Sequence, residues 1–269
     1  LNYDFFLIRM AIYFLIWIGL SFWYHKNSVQ QDADGDLKRT TRMAHFSPLG
    51  LILFAMSITF AAYDILMSLD AHWFSTIFGV YLFGGSVLSF HAFLALIVIW
   101  LQANGRLTRA VSDEHMQDIG KMMFAFTVFW AYIAFSQYML YWYANIPEET
   151  AWFLRRQENM LWGSWGWLLI IGRFLIPFLF IMSKHVKRSR PTLAVAAIWM
   201  LIMQWADMYY LVMPQINGGE EFPFTMVDIT IPIGFLGLFL IGLALSLRGH
   251  SLIAEKDPRM PESLAFENA

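Results

Sequence analysis

Cysteine is absent from all 269 residues. Without it this chain can hold no disulfide, no thiolate-held iron–sulfur cluster, no cysteine zinc site and no covalently attached c-type haem. Charge is scarce too. Asp, Glu, Lys and Arg make up 14% of the chain, where soluble domains carry about a quarter. In their place stand 58% hydrophobic and 18% aromatic residues, with a mean hydropathy of +0.52. That balance puts the chain in a membrane. The formal net charge of −2 then says little about partners; what matters is where each charge sits relative to the bilayer. The start of the chain also lacks a basic region followed by a cleavage site, and residue 1 is Leu.

A spanning helix needs about 20 mostly apolar residues. Seven segments qualify, at roughly 5–24, 48–69, 76–100, 121–145, 160–182, 192–213 and 229–247. The expected fold is therefore an all-α polytopic helix bundle over residues 1–247, followed by a polar tail at 248–269. The connection at 25–47 is polar enough to lie at the surface. Orientation follows from the basic residues. The 25–47, 101–121 and 183–191 connections and the tail hold fourteen of the eighteen Lys and Arg residues. The other side has only Arg155 and Arg156, while Arg9 and Arg173 fall within helices. Residue 1 is thus expected on the outer (periplasmic) face of a bacterial inner membrane, with the tail in the cytoplasm. Seven helices starting outside, with no Met at position 1, suggest that three helices precede Leu1 in a ten-helix parent.

Ionisable groups within a bilayer cost several kcal/mol, and they face a bundle interior, a cavity or one another. Asp64 sits in TFAAYDILMSLDAHWFSTIFGVYLFGG, at 59–85. It lies about 16 residues, or roughly 24 Å, from the cytoplasmic start of its helix. Ser57, Asp64 and Ser68 share one face. Asp207, one turn from Gln204, falls at a similar outer depth, as do Ser136, Gln137, Tyr138 and Tyr141. Tyr81, Gly84, Leu88 and His91 line a face of the third helix, with His91 in the inner half. Arg173 is placed near the middle or slightly inward. The polar groups then divide into an outer set (Asp64, Gln137, Gln204, Asp207) and an inner pair (His91, Arg173), which could be staged as a proton relay because buried carboxylates and His titrate in reach of neutrality.

Structural readings stand beside that one. Asp64 can pair with Arg173, or accept from Tyr and Trp donors, and so lock two helices. His91 can be a hydrogen-bonded packing residue. Gly84 and Gly85 suit a close helix contact. Trp23, Tyr24, Trp73, Trp142, Tyr143 and Trp162 suit interfacial anchors. Asp70 and His72 belong to a short outer turn, capping the third helix or lining a vestibule. A bis-His haem is disfavoured by the single intramembrane His, and a retinal Schiff base by the lack of Lys in 229–247. A secondary transporter stays open; Pro177 and Pro232, with Gly234 and Gly237, offer kinks but no matched pair of broken helices.

The 59–85 segment, EHMQDIGKMMFAFTVFWAYIAFSQYMLYWYANIPEET, IPFLFIMSKHVKR and ADMYYLVMP together resemble the NrfD-like (polysulfide reductase NrfD) family. Within it they resemble the ActF type, the second such membrane subunit of bacterial alternative complex III, in the same order from about residue 5 to 247. The resemblance implies a ten-helix accessory subunit with no redox centre and no catalytic quinol site. It would be embedded in a complex that oxidises menaquinol and passes electrons through iron–sulfur clusters and c-type haem to a cytochrome c, another periplasmic acceptor or an associated terminal oxidase. Expected partners are the NrfD-like paralogue, the iron–sulfur subunit, the c-type cytochrome subunits and the bilayer, with bound lipid and no nucleic acid. The implied role in respiratory or photosynthetic electron transfer is scaffold and proton-translocation path, with Asp64, His91, Arg173 and Asp207 as the matching ionisable positions.

Overall fold

A computed structural model describes residues 2–216 and 224–268. It is all-α, with no strand among those residues, and seven of its helices are long and apolar enough to cross a membrane. Those spans are α1 (Tyr3–Asp34), α2 (Leu37–Ile65), α3 (Phe78–Ala103), α4 (Asp113–Ala144), the run Met160–Met182, α9 (Arg190–Ile216) and α10 (Val227–Ser246). The fifth span in that series is composite: α6 (Met160–Leu168), a π-helical stretch (Leu169–Leu175) and α7 (Ile176–Met182). A short helix, α5 (Pro147–Gln157), crosses one end of the bundle, and α8 (Lys184–Arg188) turns at the other.

The 25–47 connection departs from the surface loop expected. α1 continues to Asp34, Gly35 turns the chain in a left-handed conformation (φ 70°), and Asp36 caps α2 through the Lys38 amide at 3.0 Å. Gly35 suits that corner because it has no Cβ to clash at positive φ. Arg39 bonds back to Asp34 (2.7 Å) and Gln30 (2.7 Å), and Gln31 bonds to Thr40. At 1.5 Å per residue a 32-residue helix is about 48 Å long, well beyond the roughly 30 Å hydrocarbon core. The polarity of this region marks a hairpin of helices emerging from the bilayer, not a break in helicity.

α3, α4 and α9 form the centre of the bundle. One half of the core is aromatic, built on Trp73, Tyr81, Trp130 and Trp152; the other is made of small and flexible residues such as Ala92, Ala95, Met116, Met123, Ala197 and Met200. Trp162 and Trp73 belong inside this core, fully and almost fully buried. That corrects their reading as interfacial anchors. Trp73 stacks on Trp152 with ring centroids 4.4 Å apart, whereas Trp142 and Tyr143 are exposed as expected of anchors.

The four basic connections gather at one end. Arg188 reaches Glu114, and Arg190 reaches Asp113 at 2.9 Å. The tail crosses this end: Lys256 holds Asp32 (3.1 Å) and the Ala33 carbonyl (2.8 Å), and Asn268 holds Glu114. At the opposite end Arg155 and Gln215 meet Asp70 at 3.4 and 3.0 Å. α10 buries no residue and meets the bundle through Phe239 against Phe93.

Candidate functional site

Four helices converge on one buried ion pair. Arg173 Nη1 lies 2.8 Å from Asp207 Oδ2, and both side chains are 1% exposed. The Tyr81 hydroxyl donates to the other carboxylate oxygen of Asp207. Arg173 Nη2 donates to Gln204 Oε1 at 2.6 Å and Nη1 to the Met203 carbonyl at 3.3 Å. The Trp130 ring lies against the guanidinium, 4.3 Å from Cζ to the ring centre. Arg173 Nε is buried and meets no acceptor among the described residues. The components come from four spans: Tyr81 from α3, Trp130 from α4, Arg173 from the π-helical stretch, and Gln204 and Asp207 from α9.

Local sequence explains the assembly. Pro177 has no N–H, and its ring clashes with the carbonyl one α-helical turn earlier, so the preceding turn must widen or kink. Here it widens into the π-helical Leu169–Leu175, and Ile176 N–H reaches back five residues to Ile171. The Gly172 carbonyl takes a bond from Trp199 Nε1 at 2.7 Å. Gly85 supplies the space opposite: a Cβ there would fall 2.7 Å from Arg173 Nη2 and 2.8 Å from Gln204 Oε1. Gly84, its neighbour, packs against Phe129. The close helix contact expected at this glycine pair is thus partly a seat for the ion pair.

Asp64 belongs to a separate cluster. Arg9 of α1 grips it with two bonds, at 2.7 and 2.8 Å, and the Tyr13 hydroxyl adds a third at 2.7 Å. Its helix-locking partner is Arg9, therefore, and not Arg173. Ser68 bonds the Asp64 backbone carbonyl, and Ser57 accepts from Trp17 Nε1 at 2.9 Å. The polar face of α2 is thus a seam for α1. Hydrogen bonds to a charged group are stronger than those between neutral groups. An Asp64→Asn variant should therefore show a clearly lowered midpoint of thermal unfolding in detergent, while Ser68→Ala should change it little.

The expected division into outer set and inner pair also changes. Arg173 reaches Asp207 directly and so joins the Asp207 and Gln204 level. His91 stays apart from it: its Nδ1 contacts the Val87 carbonyl of its own helix (2.8 Å), and its ring stacks on Phe126. Asp70 ties the outer turn to α5 and α9, and its Oδ1 accepts from the His72 amide at 3.1 Å; the His72 side chain is exposed. Tyr141 donates to the Phe74 carbonyl. Gln137 is buried, and Tyr138 accepts from Gln157 at 3.1 Å.

Gln137 and Tyr138 face a cavity of about 860 Å³ between α4, α5 and α6, whose wall also includes Tyr81, Trp130, Arg156 and Tyr210. Arg156, read in the sequence only as an outer basic residue, is fully buried here. Its guanidinium lies 3.4 Å over the Trp152 ring and donates to the carbonyls of Trp152 (2.9 Å), Leu211 (2.9 Å) and Tyr210 (3.3 Å). Pro214, lacking an N–H, leaves the Tyr210 carbonyl without its helical donor. Burial pushes the Arg156 pKa down to about 9, so the group is still a cation at neutral pH. Among the described residues no three His, Asp or Glu side chains gather as metal ligands. No protein-family model matches this chain, and no curated protein is significantly similar to it.

Proposed function

We propose that this membrane-spanning helical protein is an accessory subunit of a quinol-oxidising electron-transfer complex of the alternative complex III type, and that the Tyr81–Asp207–Arg173 cluster is its proton-handling element. The observation that carries the proton role is the burial of a carboxylate, a phenol and a guanidinium on three different spans. Such groups are rare within membranes and mark ion or proton paths. The assignment to this complex rests on the resemblance of the quoted segments. In this reading the chain sits in a bacterial inner membrane with its tail in the cytoplasm, carries no cofactor itself, and packs against the paralogous membrane subunit and the iron–sulfur and haem c subunits. α10, which buries no residue within this chain, is a natural contact for such neighbours.

The Asp64–Arg9–Tyr13 cluster serves as a clamp between α1 and α2. Asp207 is therefore the residue to test for proton transfer. Purification through a tag on this chain in mild detergent should bring down haem c and iron–sulfur subunits. Asp207→Asn in that assembled complex should keep most quinol oxidation in detergent and lower the number of protons moved per electron in vesicles. A normal proton ratio would leave the cluster a structural lock and the chain a pure assembly scaffold. A solitary, colourless protein would favour the alternative of a secondary transporter.

A further inference from the structure

We propose that the cavity between α4, α5 and α6 binds a membrane amphiphile with an anionic head, carboxylate or phosphate, whose head rests on Arg156 and whose acyl chain runs down between α4 and α6. This goes beyond the proton-handling reading and does not depend on it.

Three observations carry the inference. The first is shape. At about 860 Å³ the cavity is within the range of roughly 300–1,000 Å³ usual for small-molecule sites. α4 packs on the π-helical stretch and α7 but hardly touches α6, so the two helices splay apart beneath α5. Gly163 and Gly166 leave part of the α6 wall without side chains; a Cβ on Gly163 would meet only the Gln157 carbonyl, at 3.4 Å.

The second is the opening. Among the lining residues Tyr132, Phe135, Trp167 and Ile170 are all more than half exposed on the outside of the bundle. These are positions within α4 and the Met160–Met182 span, so the mouth faces the hydrocarbon of the bilayer and not water. A ligand enters sideways from the lipid.

The third is charge. Arg156 is fully buried, lines the cavity and forms none of the ion pairs among the described residues. Its three bonds all go to backbone carbonyls, which satisfy N–H groups without neutralising the cation. A buried charge is costly unless paired, and a guanidinium matches carboxylate and phosphate geometry. α5 sits at the end of the neighbouring spans, the level at which lipid headgroups lie. Head at Arg156 and chain toward Phe174 is the pose of a lipid in that leaflet.

The test uses the protein as extracted with its partners, delipidated and then incubated with phosphatidylglycerol, phosphatidylcholine or palmitate, with retained ligand counted by native mass spectrometry. Retention of phosphatidylglycerol or palmitate at least tenfold above phosphatidylcholine is expected, and competition between the two anions tells a phosphate head from a carboxylate. Gly163→Leu should abolish retention by filling the cavity with Arg156 intact. Arg156→Gln should remove the preference for anions, and Arg156→Lys should keep part of it if the Gln variant does not fold. Equal retention of the zwitterionic lipid, a neutral quinone as the tightly held molecule, or unchanged retention in Gly163→Leu would overturn the proposal.

Discussion

Replacing Arg173 by Met should destabilise the bundle more than any other single change to its polar groups. The substitution keeps an unbranched stem but removes the guanidinium, leaving Asp207 as an uncompensated carboxylate, 1% exposed, with the Tyr81 hydroxyl still donating to it. Breaking a buried pair from one side costs about 3–5 kcal/mol, whereas replacing both partners by apolar groups is often neutral. The double variant Arg173→Met/Asp207→Leu should therefore recover most of the loss. The measurement is a double-mutant cycle on unfolding in detergent. Additive losses in that cycle would mean that the two residues act separately and that the pair does not hold α9 to the π-helical stretch.

Gly79→Leu is expected to come next in size. Any Cβ at position 79 would lie 2.5 Å from Thr59 Cγ2 and 2.9 Å from Thr59 Cα, and the second of these is backbone, so α2 and α3 must separate. Overpacking costs about 1–3 kcal/mol, and a contact this close belongs at the upper end despite the better helix propensity of Leu. Thr59→Gly should give back part of the loss. Gly242→Leu on α10 is the control, since nothing lies within 4 Å of a Cβ there; it should leave the isolated chain as stable as before. Both variants can be read from thermal unfolding in one detergent.

The number and type of spanning elements were legible because length and apolar composition alone decide them. The hairpin at Gly35 was not, since a helix leaving the bilayer and a polar loop have the same composition. Asp207, Tyr81 and Gln204 could be picked out as intramembrane polar residues, yet their grouping with Arg173 could not. Depth counted along a straight α-helix ignores both the reach of an Arg side chain and the extra residue that Pro177 introduces. Arg9 was visible as a charge within α1, but pairing it with Asp64 needs the contact between α1 and α2. Arg156 was hidden by its position near a helix end, where basic residues ordinarily meet water. Its neighbours Trp152 and Tyr210 are the signal that could have revealed it, though the second lies 54 positions away.

The widened turn at Leu169–Leu175 also works as a phase shifter. In an ordinary α-helix each residue advances by about 100°, so one extra residue in a turn rotates everything beyond it by that amount relative to everything before. Trp162 on one side of the stretch and Ile181 on the other both face inward, and they do so across this offset. Deleting one residue from 169–175 would restore a regular helix and keep its apolar character. It would also swing one half of the span against the other, so that either the aromatic half or the small-residue half of the core lost its register. Membrane insertion would be unaffected, and packing would fail.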